Sequence, residues 1–362
     1  MSRTPRSFSA YDHFLALCFA QLTFRQSVRD VITVLNTRVG LQMRLGFRGR
    51  LTRTNLAYSN EHRDWRIFEA AAQILMRRAS RLYQDTPEEM ELPSRAFALD
   101  SSIVSLSVKL FPWAHYHRTK GAAMKLHSLI QIRGSLPAWA TLTEATFPDM
   151  KALDMLPIET GAFYVMDRGY LDFHRLRRLQ DNQAYFVVRN KHHVRLRPTE
   201  ARKVDRSTGL RCDQTVRLIV PGSRKVYPHA LRRVSFRDEV HKNTLVFLTN
   251  NFEVSALTVS HLYKRRWEVE LFFKWIKQHL RLRHFFGHSE NAIQCQVWSA
   301  ICCYLLVAIA RKQLNLNQSL YQILQVLSVS AFEQIPLYQL FANDMPPVTT
   351  LKPLETPLLG GF

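Results

Sequence analysis

The sequence predicts an α/β protein: a mixed sheet flanked by helices, preceded by an all-helical segment and interrupted by a β-rich insertion. Three observations carry this prediction. From Tyr11 to Gln84 apolar residues recur at helical spacing. After Pro93-Ser94 the pattern changes to short apolar runs in the order β-β-β-α-β-α-β. Residues 190 to 244 then break into short alternating runs split by prolines, before a last apolar strand and a long amphipathic helix. At 362 residues the chain suits two or three domains. We place a helical domain at 1–90, an α/β domain at 91–330 carrying an insertion at about 190–244, and a tail at 331–362.

In chain order, Phe14 to Leu22 and Val28 to Leu35 give two short helices, followed by a Gly/Arg-rich connection, VGLQMRLGFRGRLTRTN, flanked by Arg38. Glu61 to Tyr83 repeats helical spacing and ends among Arg77, Arg78 and Arg81. A small helical module that docks on DNA fits this region, and so does a helical cap with solvated arginines. Ala96 to Leu99 is an apolar run ending in Asp100, and Ile103 to Val108 continues it in alternation. Leu126 to Ile132 and Ala138 to Leu142 read as hairpin strands about Arg133-Gly134-Ser135. A helix around Asp149 to Leu156 precedes the apolar strand Ala162 to Met166, which ends in Asp167; a basic helix, Leu171 to Gln180, and a strand, Tyr185 to Arg189, follow. Thr244 to Leu248 closes the insertion. Ser255 is the expected N-cap of one long helix reaching Arg283, and Gln294 to Lys312 is a core helix.

Fifty Lys and Arg against 29 Asp and Glu give a formal charge of +21, which implies a polyanionic partner, nucleic acid first. A membrane surface is the competing polyanion, but no basic amphipathic helix stands apart from the folded sequence. The longest apolar run, Val297 to Ala310, falls short of the ~20 residues that span a bilayer. The five cysteines form no metal-binding spacing and read as reduced, buried residues. The basic N-terminus lacks the apolar core of a signal peptide, so a cytoplasmic, nucleoid-associated protein is expected.

At about 100° per residue, Leu262, Val269, Phe272, Phe273, Ile276 and Leu280 form the core-facing stripe of the long helix. Tyr263, Arg266, Glu270 and Lys277, spaced 3, 4 and 7, line its border. On spacing alone this is an ordinary amphipathic helix with an Arg–Glu pair. Two strand-end aspartates, Asp100 and Asp167, add to it. Each alone suits a turn or a cap, but with Glu270 they make three hard oxygen donors on a basic chain, the ligands that Mg²⁺ takes.

The stretch TNNFEVSALTVSHLYKRRWEVELFFKWIKQHLRLRHFFGHSENAIQCQ resembles the C-terminal signature of bacterial insertion-sequence DDE transposases marked by a Tyr-x2-Arg-x3-Glu-x6-Lys motif. Tyr263, Arg266, Glu270 and Lys277 match it at every position, while FALDSS and VMDRGY resemble the segments carrying that family's two catalytic aspartates. The resemblance covers most of residues 10 to 310, its N-terminal part being similar to the helical domain of one branch. It implies a ribonuclease-H-like catalytic domain in 91–330, a DNA-binding helical domain in 1–90, and cut-and-paste transposition within a dimeric complex on double-stranded DNA. It also implies that Asp100, Asp167 and Glu270 hold Mg²⁺ as two ions, for which Mn²⁺ can substitute, and that Tyr263, Arg266 and Lys277 contact phosphates. In one respect the chain departs from the pattern: relatives of this branch have some tens of residues before the segment matching FSAYDHFLALCFAQLT. A shortened transposase acting as a DNA-binding inhibitor is therefore the alternative expectation.

Overall fold

The computed structural model describes residues 8–37, 39–47, 51–86, 92–107, 109–116, 121–238, 242–279, 284–330 and 335–341. Arg38, Arg48 and Arg50 of the basic connection, Leu280 and Arg283 of the long helix, and the end of the 331–362 tail lie outside them.

Among the described residues five helices come first: α1 (Ala10–Leu22), α2 (Val28–Thr37), α3 (Val39–Arg44), α4 (Arg53–His62) and α5 (Arg66–Tyr83). Among its described residues the Gly/Arg-rich connection is helical at both ends, in α3 and at the start of α4. Gly40 is tolerated within α3, and Thr52 caps α4 by accepting the Asn55 N–H. The helix expected from Glu61 is instead two, since α4 ends at His62 and α5 starts at Arg66. The helices do not enclose a core of their own. Ala16, Leu17, Leu56, Phe68 and Ala72 belong to the same buried cluster as Val104 and Leu126 of the sheet.

The strands are β1 (Ala96–Leu106), β2 (His115–Tyr116), β3 (Gly121–Gln131), β4 (Leu136–Glu144), β5 (Phe163–Met166), β6 (Tyr185–Arg189), β7 (Leu196–Arg202), β8 (Leu210–Leu218), β9 (Leu231–Asp238) and β10 (Asn243–Thr249). They form one sheet in the order β2-β3-β1-β5-β6-β10-β9-β8-β7, with β4 also paired to β3. β1, β5 and β6 are parallel, while β3 and β4 run antiparallel beside them. The two apolar runs of 96–108 are one long strand. Residues 190–244 extend the same sheet through β10 instead of forming a layer of their own.

The remaining helices are α6 (Ala152–Met155), α7 (Phe173–Asp181), α8 (Pro221–Val226), α9 (Ala256–Arg265), α10 (Trp267–Lys274), α11 (Glu290–Gln313), α12 (Leu320–Ser330) and α13 (Leu337–Leu340). Leu153, Leu156, Leu176 and Leu179 cover one face of the sheet, against Leu99, Tyr164 and Phe186. α1, α5, α9, α10 and α11 cover the other. By length and composition α11 could cross a membrane, yet 94% of its most apolar window is buried inside the fold, as a central core helix requires.

The helix expected to run unbroken from Ser255 is broken twice. α9 ends at Arg265, the Arg266 N–H donates to the Tyr263 carbonyl and the Val269 N–H to that of Arg266, a tightened turn between α9 and α10. Beyond α10, Trp275–His279 widens into a π-helical turn. Leu262, Val269, Phe272, Phe273 and Ile276 are nonetheless all buried, so the apolar stripe survives both changes of pitch.

Candidate active site

The register of β1 and β5 decides where the acidic groups stand. Leu99 pairs with Met166, so Asp100 and Asp167 follow side by side at the point where β5 ends. β1 runs on for six more residues, paired on the β3 side. This divergence opens a cleft of about 550 Å³ lined by Asp100, Ser101, Ser102, Glu270, Lys274 and Lys277, among others. Tyr263, at the end of α9, donates its hydroxyl to Asp167 Oδ1 at 2.9 Å. Arg266, in the tight turn, donates from Nη1 to Asp100 Oδ2 and from Nη2 to Glu270 Oε1, both at 2.7 Å. The structure therefore links all three acids to the helix pair, and the π-helical turn brings Lys277 to the same cleft.

Charge is crowded here. Burial raises the Asp100 carboxyl to about 6, with the charges of Asp167 and Glu270 adding to the rise against the Ser101 N–H and Arg266. Burial opposes the charge on Arg266, but Asp100, Tyr263 and Glu270 outweigh it and hold the guanidinium above its ordinary value. Burial and the adjoining Asp167 push the Tyr263 phenol up to about 12, so it remains a donor. Lys277 is lowered by burial alone.

Among the described residues no three His, Cys, Asp or Glu side chains stand close enough to hold a metal ion as placed, and Arg266 bridges Asp100 and Glu270. The donor set still suits a hard divalent cation. It offers carboxylate oxygens from three elements, and a bound cation would offset both the burial that chiefly raises Asp100 and the smaller repulsion from Asp167 and Glu270.

A model of the family described as "Transposase DDE domain" matches residues 91–306. The chain is a DDE transposase. A protein of Sinorhizobium fredii assigned as a transposase is 32% identical over 262 residues, 71% of each chain. A Geobacillus stearothermophilus protein assigned to insertion sequence element IS5377 is 32% identical over 66% of this chain and 64% of its own. A Synechocystis protein assigned to element IS4SA is 28% identical over 73% of each. Residues 2–48 match a domain of unknown function, DUF4372. The piggyBac transposase in its synaptic complex with hairpin DNA aligns over 95% of this chain and 79% of its own with a TM-score of 0.46 and 11% identity, too remote a likeness to bear on the fold. The transposase is a DNA-cutting enzyme of insertion-sequence type, from a family that generally uses divalent metal ions.

Sequence reasoning missed a second polar cluster that adjoins the transposase's cleft at Ser101. Asp149 Oδ1 accepts the Ser101 hydroxyl at 2.7 Å and Lys125 Nζ at 2.9 Å. The signal was a lysine within the largely buried strand β3, where a charged side chain needs a partner.

Proposed function

We propose that the transposase moves an insertion sequence by cutting and pasting: it nicks double-stranded DNA at the element's terminal inverted repeats, and the freed 3′-hydroxyl is joined to target DNA. The catalytic part is a ribonuclease-H-like domain, a reading supported by the β4-β3-β1-β5-β6 order with its antiparallel hairpin beside parallel strands. The observation that carries the proposal is the joining of Asp100, Asp167 and Glu270 to one helix pair through Arg266 and Tyr263.

In this reading Asp100, Asp167 and Glu270 hold Mg²⁺, as two ions and replaceable by Mn²⁺. When bound, such ions activate a water or hydroxyl and stabilise the leaving oxygen in phosphoryl displacement. The protein's own groups do the rest. Tyr263, Arg266 and Lys277 present donors to the phosphates flanking the scissile bond. For Arg266 this means exchanging a carboxylate oxygen for a phosphate oxygen, since both anions present oxygen acceptors that a guanidinium binds. Phe272 and Phe273 anchor α10 in the core, with Ile276 of the following π-helical turn, and fix Glu270 against the strand ends. The active species is a dimer assembled on DNA.

The test is cleavage of DNA carrying the element's ends by purified protein with Mg²⁺. Asp100→Ala, Asp167→Ala and Glu270→Ala should each abolish nicking while DNA binding persists. Undiminished nicking by all three would sink the assignment.

A further inference from the structure

We propose that Asp149 is a positioning residue for Asp100, acting through Ser101. The inference rests on the reading of Asp100 as a catalytic carboxylate and adds a group to which that reading gives no role.

At Asp100, β1 has just lost β5 as a neighbour. The backbone that carries the carboxylate is therefore held on one side by β3 and on the other by whatever the next residue can reach. Ser101 supplies both links. Its N–H donates to Asp100 Oδ1 at 2.8 Å, which sets the orientation of the carboxylate. Its side chain points to the opposite face of the sheet, as alternation requires, and donates to Asp149 Oδ1. Asp149 is held in turn by Lys125, whose Nζ also donates to the Phe147 carbonyl at 2.7 Å. Ser101 and Lys125 face the same side, since Ser101 pairs with His127 and Ile103 with Lys125 across the β1–β3 ladder.

The cluster is built to keep Asp149 charged. Burial opposes the charge, but the hydrogen bonds from Lys125 and Ser101 outweigh it and hold the carboxyl below its ordinary range. His127, fully buried, is kept neutral by burial and does not compete for the charge. The Tyr170 phenol is pushed well up by burial and by the charges of Asp100 and Asp149, which places it in the field of both acids. Front and back of the strand thus carry one carboxylate each, coupled through a single serine.

The experiment compares Ser101→Ala, Asp149→Asn and their double variant with Asp100→Ala in DNA-end cleavage, with DNA affinity and Mn²⁺ affinity, read by electron paramagnetic resonance, as separate readouts. Loss of a group that orients a metal-binding side chain costs about 10- to 100-fold in metal affinity or rate. We expect each single variant to lose that much in cleavage rate and in Mn²⁺ affinity with DNA affinity unchanged. The double variant should lose no more than the worse single one, because both break the same chain of bonds. Ser101→Thr, which keeps the hydroxyl, should cleave like the parent. Ser101→Ala cannot disturb the fold by bulk or charge, so it protects the test if Asp149→Asn fails to fold. Full activity in Ser101→Ala with an inactive Asp100→Ala overturns the proposal and leaves the DDE reading intact. Losses that add in the double variant overturn it too. Cleavage by Asp100→Ala would instead remove the reading beneath it.

Discussion

Two arginine–aspartate pairs in this molecule have nearly the same bond lengths and opposite surroundings. Arg232 in β9 holds Asp213 in β8 through Nε and Nη2, both at 2.8 Å, with the two side chains 4% and 6% exposed. Arg232 Nη1 also donates to the Val254 carbonyl, just ahead of the Ser255 cap of α9. That pair ties the inserted strands to the start of the helix pair. Arg266 holds Asp100 with a single bond and shares its other amine with Glu270, whose side chain is 59% exposed. The first pair has every bond invested inside the fold. The second borders a cleft, divides one cation between two acids and leaves one of them open to solvent. Identical chemistry thus yields a rigid weld in one place and an exchangeable contact in the other, and the difference lies in burial and in the number of acids each cation must serve.

The largest expected effect breaks the weld. Asp213→Ala strands a buried guanidinium without its counter-ion, and truncating one partner of a buried pair costs about 3–5 kcal/mol. Urea unfolding should show the midpoint fall accordingly, while Arg266→Gln should lose far less stability and instead lose cleavage. Equal destabilisation by the two substitutions would erase the contrast.

A smaller effect concerns Asp100 and has a definite sign. Its carboxyl is raised to about 6 from an ordinary 3.8, so the folded chain binds a proton between those values that the unfolded chain does not. Stability from this group is therefore fully present below the ordinary value and is lost as pH rises through 6. Asp100→Asn, which cannot ionise, should stabilise the protein at neutral pH by at most about 3 kcal/mol, from ~1.4 kcal/mol per pKa unit. The gain should shrink on acidification and vanish below the ordinary carboxylate range. Thermal unfolding across that window checks it, and a pH-independent difference would show that Arg266 offsets the burial of Asp100 in full.

These pairs also show what the sequence reveals and what it conceals. Asp100, Asp167 and Glu270 could be picked out because each ends an apolar run or sits at helical spacing from an arginine, and local patterns survive into structure. The same holds for the buried stripe of α9 and α10. The break at Arg266 was not legible, since the apolar stripe runs through it unchanged and the contact Arg266 makes there, to Asp100, spans 166 positions of sequence. Nor was the joining of the inserted strands to the main sheet: alternation marks β7, β8 and β9 as strands but says nothing of the strand they pair with. Asp149 was hidden for a third reason. In FPDMKALDM it reads as a helix-start acid, and only the β1–β3 register brings Lys125 and Ser101 to it.

The smallest expected effect separates a cation of the cleft from a cation of the fold. Lys277 stands in the π-helical turn at the cleft wall, and burial lowers its ammonium from the ordinary lysine value. A phosphate against it would restore the charge that burial disfavours. Lys277→Met should then weaken binding to DNA of any sequence and reduce the slope of log affinity against log salt by about 1, the signature of one lost phosphate contact. Arg232→Met, in a protein kept folded at low temperature, should leave that slope unchanged, because its guanidinium faces Asp213 and no solvent. A salt slope unmoved by Lys277→Met would place the lysine with Arg232, as a support of the fold, and leave phosphate contact to Arg266 and Tyr263.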